Sequence, residues 1–255
     1  MRGTIVMIHG MWCGSWTWDR YAAFLEGRGW RCLRPALRYH EADPRDPPDP
    51  RLGRTSLLDY AEDLESLVRG LDAPPVLLGH SMGGLLALML AARGLAQAAV
   101  LLTPASPAGI NALTPAVIRS FLGVLFRPRF WRLPVRLSYR GAVYAMLGCL
   151  PPGQRRPIYD RLVPESGRAI AETGLWFLDP RRGSSVDAAD VSCPVLLVST
   201  TDDHLTPASA VRKTAAFLGP GATLREFPGY GHWVAEGPGW EHIAAFIADW
   251  LEARG

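Results

Sequence analysis

The stretch at residues 76–84 reads VLLGHSMGG. A short apolar run leads to one serine, Ser81, with Gly79 and Gly83 two residues to either side, and the helix-forming run LLALMLAA follows. This is a strand turning abruptly into a helix with the serine at the turn. Such a turn presses backbone on backbone, so the neighbouring side chains must be minimal, which glycine supplies. The hydroxyl then stands clear of the sheet, and the helix start aims N–H groups and positive dipole at the same point. The chemistry this suits is nucleophilic attack. A serine hydroxyl alone is weak and needs a base, which brings six histidines into view. His9 ends the first apolar run, His40 sits in or near a polar loop, and His80 adjoins Ser81, where side chains diverge. His204 follows the adjacent pair Asp202 and Asp203, His232 lies in Gly229-Tyr230-Gly231-His232-Trp233, and His242 falls on a terminal helix.

The rest of the chain must position these groups. At 255 residues and 48% hydrophobic it suits one large α/β domain with a sizeable core, and 20% charged residues is too few for disorder. A net charge of +3 gives no reason to expect nucleic acid as a partner. Cys13, Cys32, Cys149 and Cys193 form no C-x-x-C pair, which argues against zinc and thiol redox chemistry and for a reducing compartment. There is no H-E-x-x-H and no cysteine-histidine cluster, so no metal or cofactor is expected. No signal peptide is visible and no apolar run reaches the roughly 20 residues that span a bilayer. The expectation is a cytoplasmic protein without an integral membrane segment.

Apolar, β-branched runs predict strands at residues 4–9, 30–34, 76–78, 98–103, 195–199 and 223–227, and helical periodicity predicts helices at 18–29, 56–71, 82–94 and 240–251. Thr55 reads as the N-cap of the second helix. The proline-rich, charged residues 41–53 read as a surface loop. This alternation predicts a mainly parallel central sheet flanked by helices, formed by residues 1–104 and 191–255. Residues 105–190, rich in aromatics and broken by prolines, read as an inserted helical cap.

With its strand–turn–helix context, Gly79-x-Ser81-x-Gly83 resembles the nucleophile elbow of the α/β-hydrolase fold, in the serine esterase and lipase-like, cap-bearing branch. That resemblance implies the order serine, acid, histidine. The loop at 229–233 is similar to the family's histidine loop, which implies His232 as base. The acid is expected after the strand that follows the cap, where the family pattern Gly-x-x-Asp-x-x-x-Pro is similar to Thr200–Pro207 and selects Asp203. Thr200 stands where glycine is usual, so Asp202 stays an alternative. Residues 99–109 hold no acid for the other family position. The oxyanion hole is implied to use the backbone N–H groups of Met82, after the nucleophile, and Met11, after His9-Gly10. Trp12, Trp131 and Trp176 are the expected substrate contacts.

The implied reaction is hydrolysis of a carboxylic ester with an apolar acyl or alcohol part, on a small-molecule substrate, through an acyl-enzyme. The same residues also serve thioester hydrolysis, acyl transfer or lyase chemistry. A cyanohydrin lyase is disfavoured because residues 105–190 contain no lysine. A non-catalytic binding protein on the same scaffold is the rival of another class. Ser81 as a plain N-cap, His232 as a structural loop histidine and Asp203 as a helix cap are the bland alternatives, and the tryptophans equally suit packing. Arg127, Arg129, Arg132, Arg136 and Arg140 either attract an anionic substrate or form a solvated face, the commoner role of such runs. The oligomeric state is left open.

Overall fold

The computed structural model describes residues 2–254. Its first half alternates strand and helix: β1 (Thr4–Ile8), α1 (Asp19–Glu26), β2 (Arg31–Leu33), α2 (Leu57–Arg69), β3 (Val76–His80), α3 (Met82–Ala92) and β4 (Ala98–Leu102). Then follow α4 (Pro115–Leu125), β5 (Pro134–Val135), α5 (Tyr139–Ala142), α6 (Pro152–Arg161), β6 (Glu165–Ser166) and α7 (Gly167–Gly174). The alternation resumes with β7 (Val195–Thr200), α8 (Ala208–Leu218), β8 (Ala222–Phe227) and α9 (Trp240–Glu252).

Six strands form one sheet in the order β2-β1-β3-β4-β7-β8, every pairing parallel. The central strands are fully buried because helices cover both faces, as a parallel sheet requires. Alternate residues serve the two faces: Ile5, Met7, Val76 and Leu78 pack with α1 and α9, while Val6, Ile8 and Leu77 pack with α2 and α3. The chain leaves β1 toward one edge of the sheet and β3 toward the other. The loops after these neighbouring strands therefore diverge and leave a crevice at their C-terminal ends.

The expected elements are present with shifted ends. The first helix is split into a 3₁₀ turn, Ser15–Trp18, and α1. Ser56, not Thr55, caps α2. Its hydroxyl accepts the Leu58 N–H at 3.2 Å while its own N–H donates to Asp59 Oδ2 at 2.7 Å, a reciprocal pair that only a carboxylate three residues on completes. The Thr55 hydroxyl instead donates to Arg51 O. His40, expected near the polar loop, is buried with its neighbours Tyr60 and His9.

Two buried glutamates tie the segment between β4 and β7 to the sheet-bearing part. Glu165 of β6 meets His40 Nε2 at 3.1 Å and accepts the Tyr60 hydroxyl at 2.8 Å. Glu172 of α7 accepts the Ser56 hydroxyl and the Leu57 N–H at the start of α2, where the helix dipole favours an anion. Burial alone would lower the His40 pKa, but the charge and hydrogen bond of Glu165 outweigh it and hold the imidazole above its ordinary value. A raised folded-state pKa gives stability that is complete below the unfolded value and is lost as pH rises through the folded one. Urea midpoints are therefore expected to fall as pH rises above the ordinary imidazole range. Glu165→Gln, which removes the partner charge, should flatten that slope; an unchanged slope would remove the pair from the account.

Candidate active site

The serine turn is a product of close packing. Ser81 has φ +55° and ψ −120°, a conformation that side chains other than glycine rarely adopt. Backbone hydrogen bonds hold it there. The Ser81 N–H donates to Leu102 O at 3.0 Å, and Ser81 O accepts from Gly84 and Ala105 at 2.9 Å and from Leu85 at 3.3 Å. The glycines are steric necessities. A Cβ on Gly79 would lie 2.0 Å from Gly83 O, and one on Gly83 would lie 2.1 Å from Ile8 O at the end of β1. Both obstacles are backbone and cannot rotate away. Gly79→Ala is expected to cost at least about 3 kcal/mol in urea unfolding, or to leave no folded protein. Gly123→Ala on α4, where an added Cβ meets nothing within 4 Å, should gain up to about 1 kcal/mol. Equal effects at the two positions would contradict the steric argument.

His232 follows β8 and is buried. Its Nδ1 lies 2.7 Å from Asp203 Oδ2, which assigns the proton to Nδ1 and leaves Nε2 as the basic nitrogen. Asp203 is held in turn: Oδ1 accepts the N–H groups of Leu205 and Thr206 at 2.7 and 2.8 Å, and Oδ2 accepts the Thr206 hydroxyl at 2.7 Å. Burial raises the carboxyl pKa, but the His232 imidazole and the Thr206 hydrogen bonds together bring it below the usual carboxylate range. Asp202 is exposed and accepts only the neighbouring Thr201 hydroxyl among the described residues. The His80 side chain links the turn bearing His232 to the serine turn. Its ring lies 4.8 Å from the His232 ring, and its Nε2–H donates to His232 O at 3.0 Å. Ser81, Asp203 and His232 thus gather at the C-terminal ends of β3, β7 and β8. Among the described residues no hydrogen bond joins Ser81 Oγ to the imidazole, a contact that in empty sites is often long.

The loop after β1 sits beside Ser81: a Cβ on Gly10 would lie 3.0 Å from Ser81 Cβ. His9 shapes this loop, donating from Nδ1 to Gly10 O at 2.9 Å and accepting the Leu37 N–H at Nε2. Burial, then the nearby His40, pushes the His9 pKa down to about 3, so it stays neutral in this role. Among the described residues the N–H groups of Met11 and Met82 donate to no backbone carbonyl. Two free donors therefore flank the serine turn, one at the start of α3.

Ser81 opens into a cavity of about 280 Å³. Met11, Trp12, Val117, Phe121, Phe130, Ile170, Leu175 and Trp176 give it an apolar wall. Of the three tryptophans, Trp12, with its indole N–H on Val135 O, and Trp176 line this cavity. Trp131 does not. It is 48% exposed, and in the 3₁₀ turn Phe130–Arg132 its neighbour Phe130 is the residue that turns inward. Thr206 was not anticipated as part of the site; its position three residues after Asp203, before Pro207, is the signal that marks it.

The comparisons agree with this architecture. The model of the alpha/beta hydrolase family matches residues 5–246. The chain is 28% identical to a magnesium-chelatase 30 kDa subunit from Rhodobacter capsulatus, over 97% of this chain and 86% of that one. A monoacylglycerol lipase from Paleococcus ferrophilus superposes with a TM-score of 0.73 at 24% identity, covering 100% of this chain and 95% of that one. A methylesterase from Arabidopsis superposes at 0.72 with 15% identity and 98% of each chain covered. With an all-parallel sheet, a strained serine turn and a family match over nearly its whole length, the chain belongs to the alpha/beta hydrolase family.

Proposed function

We propose that this protein is a serine hydrolase that cleaves a carboxylic ester with an apolar acyl or alcohol part. Ser81 attacks the carbonyl carbon while His232 Nε2 takes its proton. Asp203 keeps the imidazole in the required tautomer and stabilises the imidazolium. The Met11 and Met82 N–H groups stabilise the oxyanion as it forms. His232 then returns the proton to the leaving alcohol, and water, deprotonated by the same nitrogen, releases the acid from the acyl-enzyme. The observation that carries this reading is a buried histidine held by a carboxylate at the same end of the sheet as a strained serine that opens into an apolar cavity. Residues 105–190 act as the cap that closes it.

Turnover of p-nitrophenyl esters from acetate to decanoate tests the reading. A rise in kcat/KM with acyl length to a maximum is the expected result, because each buried methylene adds about 0.8 kcal/mol until the cavity is full. A flat profile would remove the apolar pocket from the account. Preference for acyl thioesters would move the assignment to a thioesterase. The name of the Rhodobacter relative points instead to membership of a metal-inserting assembly; that reading predicts partner binding without ester turnover, and the same series separates the two.

A further inference from the structure

The rim of the cavity is built unlike the rest of the surface. Helix α4 buries Val117 and Val124 and leaves Ile118, Leu122 and Leu125 exposed along one stripe. Phe126 follows, 81% exposed. Phe177 and Leu178 are 58% and 69% exposed, and Phe177 lines the same cavity as Ile118 and Leu125, which places both groups at its mouth. A concentration of exposed large apolar side chains marks a docking surface.

Along residues 105–159, which carry α4 and Phe126, the charge is one-sided, whereas Asp179 follows Leu178 on the other part of the rim. Eight of the chain's 27 basic residues, all arginines, lie in residues 105–159, and none of its 24 acidic residues does. Arg127 directly follows Phe126, Arg129 comes after Pro128, and Arg132 follows Trp131; all three are exposed, and among the described residues none is paired with a carboxylate. Two loop arginines elsewhere, Arg45 and Arg51, are by contrast each clasped by an aspartate two residues earlier. Arg136 does not belong to the rim, since it donates to Pro44 O and Tyr159 O.

We propose that this face docks on the surface of an anionic lipid bilayer, with Phe126, Leu122, Phe177 and Leu178 entering the boundary of the acyl region and Arg127, Arg129 and Arg132 on lipid phosphates. Exposed aromatic and aliphatic side chains interleaved with unpaired arginines match a surface that is anionic outside and apolar beneath. Arginine holds phosphate through two parallel hydrogen bonds. A second copy of the chain is the poorer occupant, because two such faces would oppose like charges. Docking in this orientation turns the cavity mouth toward the lipid, so an apolar substrate would reach Ser81 without crossing water.

Flotation of the full chain with vesicles of phosphatidylcholine, alone or mixed with phosphatidylglycerol, tests the proposal and requires no turnover, so its outcome is independent of the hydrolase reading. The protein is expected to float with the anionic vesicles, weakly with the neutral ones, and to be released by added salt. The triple variant Arg127→Gln, Arg129→Gln, Arg132→Gln should lower partitioning about a hundredfold, at roughly fivefold per arginine. The double variant Phe126→Ser, Leu178→Ser should also lose binding, with an unchanged melting temperature showing that these exposed positions do not carry the fold. Absence of flotation, equal binding to both vesicle types, or undiminished binding by either variant overturns the proposal. So does concentration-dependent dimerisation that the double variant abolishes, which would assign the face to a second copy.

Discussion

Ser81→Ala is expected to lower kcat for p-nitrophenyl butyrate by a factor of about 10⁶ and to leave KM nearly unchanged. Removing the nucleophile from a triad that works as a unit costs this much in a serine protease. The activity left over, about 10³ above water, comes from the oxyanion donors and from binding. In the proposed mechanism those donors are the backbone N–H groups of Met11 and Met82, which an alanine at position 81 does not touch. The cavity wall is also unaltered, because Ser81 contributes only a hydroxyl to it. Alanine adopts φ +55° no less awkwardly than serine, so the backbone strain is the same in both proteins and the unfolding midpoint should barely move. An intact fold with six decades of lost rate is the signature of a nucleophile. Equal activity in the two proteins would show that Ser81 is not one, and the proposed mechanism would fall with it.

The second large effect is expected at Asp203. Asp203→Asn should lower kcat about 10⁴-fold, because an amide in place of the carboxylate favours the tautomer with its proton on Nε2, the nitrogen that must accept one from Ser81. The substitution keeps an oxygen for the Leu205 and Thr206 N–H groups, so the turn should persist. Asp202→Asn is the matched control. Asp202 is exposed and among the described residues its carboxylate accepts only the neighbouring Thr201 hydroxyl, so its replacement should change kcat less than about twofold, as surface substitutions do. The measurement is kcat for both variants on one ester at one pH. If Asp202→Asn collapses the rate and Asp203→Asn does not, the acid has been assigned to the wrong neighbour.

Both predictions depend on features that differ in how far they can be read from the chain alone. The serine turn is legible because its cause is local. Over five consecutive residues, Gly79 to Gly83, β3 turns into α3 against the end of β1, and only glycine at the two flanking positions leaves room. The strands are legible for a similar reason, since runs such as residues 76–78 and 195–198 are apolar on both faces, as burial between two helix layers demands. The order of the sheet, β2-β1-β3-β4-β7-β8, is not legible in this way, because alternating strands and helices with right-handed crossovers are compatible with several orders.

What the sequence by itself determined, then, is the sheet, the helices over it and the place of the serine. The tertiary structure decided which side chains face one another. Asp202 and Asp203 are adjacent and chemically identical, and the spacing to Pro207 only favours one of them. Asp203 turns inward because Thr206 and, 29 residues on, His232 supply its donors. Trp131 and Phe130 are likewise neighbours of similar character, and the short turn between them sends one into the cavity and the other to the surface. His40 lies beside a polar loop in the chain, yet it is buried because Glu165, 125 residues away, stands opposite its ring. The unpaired arginines at the cavity rim show the same limit. Composition reveals that they are many, but only the fold shows that among the described residues no carboxylate pairs with Arg127, Arg129 or Arg132 and that apolar side chains stand exposed near them. Local crowding and periodicity act within a few residues and so are written in order along the chain. Pairing across the fold depends on which surfaces meet once the whole chain has closed.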